Sequence, residues 1–253
     1  MASVALLLFV LGCVFGSFVT VLAYRVPRGE PWVGGRSRCP SCGVEIGARD
    51  NVPVLSWLLL RGRCRSCGEP ISIRYPLVEL GLGALWAITY LTLSDDAAQL
   101  ALGLVLCAVL VAITLTDLDL RLIPNRLLLP AAIIAVVVVA ATDPEDLVER
   151  GIAAAAAGGF LLLAALAYSG GMGMGDVKLG AVMGLYLGRA VAPALLVGFA
   201  VGALIGIGLI IRYGAGARKR AVPFGPFLAV GGVVGLWAGD ELVDWYLDTF
   251  FRD

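Results

Sequence analysis

Four cysteines in two closely spaced pairs are the first candidates for chemistry in this sequence. They form the motifs CPSCG, with Cys39 and Cys42, and CRSCG, with Cys64 and Cys67. Two Cys-x2-Cys pairs can hold four thiolates around one zinc ion, and a polar segment of about 50 residues gains from such a staple because it is too short for a dependable core. The alternative is a pair of disulfides, which needs an oxidising compartment.

Two aspartates in polar motifs at the ends of apolar segments are the second candidates. Asp117 lies in TDLDLRLIPN and Asp176 in GGMGMGDVKLG, with two apolar segments between them. An even number of membrane crossings returns the chain to the same face, so both carboxylates can meet there. Two carboxylates that share a proton can act on one water, one as a base toward the water and the other as an acid toward a scissile carbonyl.

The aspartate motifs also allow plainer interpretations. Asp119 is an alternative partner in the same motif, and Thr116 or Asp117 could simply cap a short helix. Because the chain has no histidine, His-based triads and His-ligated metals are excluded, and any general acid or base must be a carboxylate, Lys, Tyr or Cys.

The elements that must position these groups are membrane helices. The chain is 60% apolar and 15% charged, whereas soluble domains contain roughly 45–50% apolar and 25% charged residues. The apolar excess falls into blocks of about 20 residues, which predicts an all-α polytopic membrane protein and excludes an ordinary soluble enzyme or a disordered chain. We expect about eight transmembrane helices, near residues 3–24, 76–93, 97–116, 127–142, 151–168, 178–190, 192–211 and 223–239.

These segments divide the chain into three parts. We expect a first transmembrane anchor at 1–24, a cytosolic zinc-ribbon-like loop with all four paired cysteines at 25–75 between the first and second spans, and a transmembrane domain at 76–253 that carries the aspartates.

The charges predict the orientation in the membrane. If the N-terminus lies outside, all of the 19 Lys and Arg residues except Arg150, Arg189 and Arg252 lie inside, as the positive-inside rule expects. The loop is then in the reducing cytosol, which favours zinc over disulfides. The loop has nine arginines and four acidic residues, a charge that could serve nucleic acid, anionic lipid or an acidic partner. Its few aromatic residues make nucleic acid the poorer choice.

The ordered set of motifs resembles the type IV prepilin peptidase family, which are bacterial membrane aspartyl proteases with a Gly-x-Gly-Asp motif. The resemblance covers nearly the whole chain. Besides the two cysteine pairs it rests on GSFVTVLAYRVP (16–27), SWLLLRGRCRSCG (56–68), ISIRYPLVEL (71–80), the stretch from Asp117 to Asn125, GMGMGDVKLG (171–180) and VPFGPFLAVG (222–231).

The resemblance implies a bifunctional enzyme. It would cut the short basic leader of a prepilin or pseudopilin on the cytosolic side and then methylate the new N-terminus from S-adenosylmethionine. By position in the motifs, Asp117 and Asp176 match the catalytic aspartates, which leaves Asp119 as a bystander. Gly62 and Glu79 match positions linked to methyl transfer, with the zinc loop associated with that activity. Thr20 stands where the family usually has Asn.

Two functions from other classes remain as alternatives. One is a proton-coupled transporter that relays protons through its aspartates, although such sites usually lie near the bilayer midplane rather than at span ends. The other is a membrane-anchored zinc-ribbon scaffold without catalysis. Glu79 also has an alternative role: as a carboxylate in the first turn of a helix that begins at Pro76, it would be favoured by the helix dipole. The expected location is the bacterial inner membrane, in contact with lipid and prepilin substrates; the sequence specifies neither the prepilin nor the oligomeric state.

Overall fold

The structure, a computed structural model, describes residues 1–31, 33–167, 172–214 and 222–251. Several residues used above lie outside these ranges: Gly170 and Gly171 of the second aspartate motif, the basic residues 218–220, and Arg252. The described residues contain nine α-helices, which are α1 (Ala2–Arg25), α2 (Leu55–Leu59), α3 (Arg74–Leu93), α4 (Ala97–Leu120), α5 (Asn125–Thr142), α6 (Asp146–Ala167), α7 (Met174–Leu187), α8 (Val191–Tyr213) and α9 (Gly225–Phe250).

Seven helical stretches within the described ranges are long and apolar enough to cross a membrane. One of them, Met174–Tyr213, has 40 residues, and a continuous helix of that length would extend about 60 Å, twice the hydrocarbon thickness. It is interrupted at Gly188, whose φ of +54° ends α7 before a short 3₁₀ turn at Gly188–Ala190. Helices α7 and α8 are therefore separate elements, matching the predicted sixth and seventh spans.

The helices confirm the predicted fold class, an all-helical membrane protein with a cysteine-bearing loop between its first two long helices. The chain forms two compact units, Met1–Ser94 and Asp95–Asp253. The three-part functional division at residues 24 and 75 stays a prediction.

The first unit is built on close packing of α1 against α3. A Cβ at Gly12 would lie 2.8 Å from the Cα of Gly83, and a Cβ at Gly16 would lie 2.7 Å from the Cα of Glu79. Because both glycines lie on one face of α1, the two backbones approach without intervening side chains. This packing fixes the position of Glu79 between α1 and α3.

The second unit pairs α6 with α7 and α8 with α9 in antiparallel fashion. The start of α6 meets the end of α7, where the buried guanidinium of Arg150 pairs with Asp146 and donates to the carbonyl of Tyr186. At the opposite end of the unit, the start of α9 reaches the end of α4 through Gly225. The start of α7 reaches the segment after α4, where a Cβ at Gly175 would lie 2.8 Å from Cβ of Ile123. Three helix ends therefore converge on one location.

Candidate active site and metal centre

Asp117 lies in the last turn of α4 and is buried, with 6% of its surface exposed. The helix ends three residues later, at Leu120, because Arg121 adopts a left-handed conformation (φ 51°, ψ 43°) and donates its N–H to the carbonyl of Asp117 at 2.9 Å. The chain then leaves the helix axis toward α5. Asp117 is thus held at a helix terminus rather than in the middle of the bundle.

The carboxylate of Asp117 is fixed by the first residue of α9. The N–H of Gly225 donates to Oδ2 of Asp117 at 2.8 Å, which satisfies one of the amide groups that every helix start leaves unpaired. A Cβ at this position would also lie 2.8 Å from that oxygen. Only glycine lets the backbone of α9 approach the carboxylate so closely.

Asp176 lies in the first turn of α7 and is also buried, at 8% exposure. Its Oδ2 accepts the N–H of Gly173 at 3.1 Å, which orients the carboxylate toward the helix start. Its Oδ1 is buried and has no hydrogen-bond partner among the described residues. A buried carboxylate oxygen without a partner costs free energy and is typical of a functional site.

Both aspartates line one cleft of about 490 Å³. The remaining wall comes from residues 121–125 and 173–175 and from Lys178, whose ammonium donates to Oδ1 of Asn125 at 3.0 Å. Asp119 is exposed and is not part of the cleft lining. The structure thus brings together the two aspartates that the parity argument paired.

The four cysteines of the loop form one cluster. Their sulfur atoms all lie within 4.8 Å of one another, and the sulfurs of Cys39 and Cys67 are 3.8 Å apart. Sulfurs 2.3 Å from a central zinc in a tetrahedron are about 3.8 Å apart, whereas a disulfide requires about 2.05 Å. All four are free thiols, so the cluster has the donor set and spacing of a four-thiolate metal site.

The two halves of the cysteine cluster have the same backbone fold. Gly43 and Gly68 have φ values of +71° and +76° and donate their N–H groups to the carbonyls of Cys39 and Cys64, both at 2.9 Å. An isolated antiparallel bridge closes each half, between Arg38 and Glu45 and between Arg63 and Pro70. Each motif is therefore a tight turn that presents two sulfurs on the same side.

Neighbouring groups lower the pKa values of a cysteine and an aspartate in the loop. Backbone N–H groups of Cys42 and Ser41 lower the pKa of the Cys39 thiol to about 7, which favours the thiolate that metals bind. The side chain of Arg65 contacts both carboxylate oxygens of Asp50, at 2.7 and 2.8 Å, and thereby lowers the pKa of that carboxyl. This bidentate pair braces the second turn against the segment between the two turns.

Glu79 and Gly62, the positions linked by resemblance to methyl transfer, have defined structural surroundings. The carboxylate of Glu79 is buried and accepts the N–H of Val54 at 2.7 Å. Val54 has a φ of +62°, a rare and costly conformation for a β-branched residue. Gly62 also has a positive φ, and a Cβ there would lie 2.9 Å from the ring of Trp57.

Two residues that bind the site carboxylates, Gly225 and Val54, were not predicted from the sequence. Gly225 is part of VPFGPFLAVG, yet its N–H bond to Asp117 depends on where α9 starts. Val54 carries no recognisable signal, because its strained backbone follows from the position of Glu79 on another helix.

Comparisons with known proteins identify relatives along most of the chain. Residues 10–93 match the bacterial peptidase A24 N-terminal domain, and residues 104–211 match the type IV leader peptidase family. The chain is 38% identical to the prepilin leader peptidase/N-methyltransferase of Aeromonas hydrophila, over 96% of this chain and 94% of the relative. The protein of the same name from Bacillus subtilis (strain 168) is 34% identical, over 95% and 97%. No solved structure matches significantly.

Proposed function

The chain belongs to the type IV leader peptidase family, and on that premise we propose that it cleaves the leaders of prepilins or pseudopilins and then methylates the new N-terminus. It is an enzyme, and neither a proton-coupled transporter nor a non-catalytic scaffold is favoured by the relatives. The observation that carries the peptidase assignment is the pair of buried aspartates, Asp117 and Asp176, in one cleft.

We assign peptide cleavage to these two carboxylates acting as a unit. Two neighbouring carboxylates in a partly desolvated cleft share one proton because double ionisation is unfavourable. The ionised member takes a proton from water as it attacks the scissile carbonyl, while the protonated member donates to the carbonyl oxygen. Breakdown of the tetrahedral intermediate returns a proton to the leaving amine. Gly225 and Gly173 hold one oxygen of each aspartate and so fix the direction of the other.

For the loop we propose a structural zinc ion bound by Cys39, Cys42, Cys64 and Cys67. The clustering of the four thiols and the 3.8 Å distance between the sulfurs of Cys39 and Cys67 support this assignment. Closed four-thiolate sites are structural rather than catalytic because no position is left for substrate. The ion would hold both turns together in a segment whose described residues contain only one five-residue α-helix and a 3₁₀ turn.

We propose that Glu79 and Gly62 serve the methyl transfer from S-adenosylmethionine, which would supply a methyl group on a sulfonium cation. A buried carboxylate such as Glu79 has the charge that a nearby sulfonium requires. Gly62 has a structural role in the turn, because the close contact with Trp57 and the positive φ both favour glycine at this position. Since Trp57 donates its indole N–H to the carbonyl of Ile71 at 3.0 Å, a side chain at position 62 would displace the whole turn.

We place the enzyme in the bacterial inner membrane with its N-terminus outside and with the zinc loop and aspartates at the cytosolic face. The distribution of basic residues supports this orientation. A prepilin embedded in the same membrane would then present its basic leader on the cytosolic side, at the depth of the aspartate cleft.

The decisive experiment is mass spectrometry of a candidate prepilin after incubation with the purified enzyme and S-adenosylmethionine. We expect the mature chain to lack the leader and to carry one added methyl group. An intact prepilin would overturn the peptidase assignment, and a cleaved but unmethylated product would overturn only the second activity.

We expect Glu79→Gln to lower methyl transfer about 100-fold or more while leader cleavage stays at the wild-type rate. The amide oxygen can still accept the N–H of Val54, so the substitution removes the charge with little structural change. Methylation and cleavage rates are read from the same mass spectra. Glu69→Gln, at an exposed acidic residue of the loop, is the control that should retain both activities. Equal methylation in the two variants would show that the Glu79 charge is not used.

We expect Gly225→Ala to slow leader cleavage roughly 10- to 100-fold, because a small displacement of a catalytic group is costly. The added methyl would lie 2.8 Å from Oδ2 of Asp117 and must push the carboxylate or the start of α9 away. Gly206→Ala is the matched control, since no atom lies within 4 Å of a Cβ at that position of α8. Cleavage assays on both variants test this, and equal rates would exclude a positioning role for Gly225.

A further inference from the structure

Helix α2 exposes three of its leucine side chains. Leu55 and Leu58 are each 58% exposed and Leu59 is 81% exposed, whereas Ser56 on the opposite face is buried. The hydroxyl of Ser56 accepts the N–H of Val52 and donates to the carbonyl of Arg49. The helix is therefore fixed to the loop by its polar face and presents its apolar face outward.

The depth of α2 follows from its attachment to the membrane helices. Val54, directly before α2, donates to Glu79, which lies five residues into α3, about 7.5 Å from its start. Glu79 packs on Gly16, about 13.5 Å before the end of α1 at the same rise. The start of α2 is thereby tied to a residue that lies about one and a half turns inside α3 and packs about two and a half turns inside α1, among the apolar residues of both helices.

The residues at those helix ends locate the membrane–water boundary. The Arg28 guanidinium lies over the ring of Tyr24, 4.0 Å from its centroid, at the end of α1. Arg74 and the exposed Tyr75 begin α3. Tyrosine and arginine at span ends are typical of the headgroup region, so α2, tied to Glu79 near the start of α3, lies close to headgroup level.

The arginines around the cysteine turns and α2 differ in their partners. Arg36 and Arg38 pair with Glu45, and Arg65 pairs with Asp50. Arg61 and Arg63, which directly follow the leucines, are exposed and form no ion pair within the described part of the chain. Two positive charges without a carboxylate partner among the described residues therefore directly follow the exposed apolar face in sequence.

We infer that α2 is a membrane-docking element: its leucines insert into the boundary of the leaflet while Arg61 and Arg63 bind anionic phospholipid headgroups. An exposed apolar helix face flanked by arginines is the pattern of interfacial membrane binding. The left-handed conformation of Arg61 and Gly62 turns the chain immediately after the leucines, which keeps both arginines at headgroup level. The loop is thereby held on the bilayer by a third contact besides α1 and α3.

Photo-cross-linking from Leu59 of the full chain in lipid vesicles tests this inference. The variant Leu59→p-benzoylphenylalanine is compared with the same replacement at Val44, an exposed apolar residue of the first cysteine turn. In vesicles of phosphatidylcholine with phosphatidylglycerol, we expect severalfold more phospholipid adducts from position 59, measured by mass spectrometry. Equal yields from both positions, or adducts to a second copy of the chain, would overturn the inference.

The role of the arginines is tested in the same system. Arg61→Gln combined with Arg63→Gln should abolish the increase in adducts that phosphatidylglycerol causes over phosphatidylcholine alone. An increase that persists in this variant would exclude headgroup binding by these residues. Position 55 serves as a second cross-linking site on the same face if the Leu59 variant is unstable. Because the readout needs no enzymatic activity, its failure is distinguishable from failure of the proposed function.

Discussion

Asp176→Asn is expected to lower the rate of leader cleavage by about 10²- to 10⁴-fold, the range typical of a general acid–base group. The amide keeps the size of the side chain and an oxygen that can accept the N–H of Gly173, but it can neither hold the shared proton nor take one from water. The same loss is expected for Asp117→Asn. Cleavage of a purified prepilin, followed over time, measures both.

The double variant distinguishes a shared site from two independent ones. If Asp117 and Asp176 act on one water, removing the second carboxylate costs little once the first is gone, so the double variant should be about as slow as each single variant. If the rate loss of the double variant equals the product of the two single losses, the two aspartates contribute to separate steps.

Asp119→Asn is the matched control for both substitutions. Asp119 lies two residues from Asp117 on the same helix but is exposed and outside the cleft lining, so cleavage should be unchanged. Methyl transfer to a pre-cleaved substrate should also survive in all three variants and would show that the protein is folded. Retained cleavage in Asp176→Asn would contradict the proposed pair outright.

The juxtaposition of Asp117 and Asp176 was predictable because membrane topology is a strong constraint. A helix that enters the bilayer must cross it, so the number of apolar segments between two residues decides whether they share a face. The choice between Asp117 and Asp119 was different. Spacing alone left it open and the resemblance favoured Asp117, while the structure shows the physical difference: near the end of α4, Asp117 is buried in the cleft and Asp119 is exposed.

The contacts that hold the site were not predictable from periodicity. The Gly225 N–H reaches Asp117 across 108 positions of sequence, and the approach depends on how α9 packs on α4. The strained Val54 likewise exists because Glu79 on another helix binds its N–H. Such tertiary contacts leave no pattern in one sequence, since a glycine in a membrane helix is equally compatible with plain packing.

The cysteine spacing, by contrast, carried almost all of the information about the loop. Two Cys-x2-Cys-Gly motifs specify two turns, because the glycine supplies the positive φ that each turn needs. What the spacing could not predict is the ion pair between Arg65 and Asp50, which ties the second turn to a residue between the motifs.

Replacing both cysteines of the first turn, Cys39→Ser with Cys42→Ser, is expected to remove the bound zinc. Two remaining thiolates cannot form the closed tetrahedral site, and structural zinc contributes about 10–16 kcal/mol to the folding of small zinc modules. We therefore expect the loop to become sensitive to protease and methyl transfer to be lost. Leader cleavage should persist, because both aspartates belong to the compact unit Asp95–Asp253.

Metal analysis of the purified protein, with limited proteolysis and both activity assays, measures these effects together. Ser41→Ala is the control, because it lies in the same turn and changes an exposed side chain without removing a sulfur or the backbone N–H next to Cys39. Unchanged zinc in the double cysteine variant would exclude the four-thiolate site. Loss of cleavage together with zinc would show instead that the peptidase depends on an ordered loop, since the aspartates themselves are untouched by the substitution.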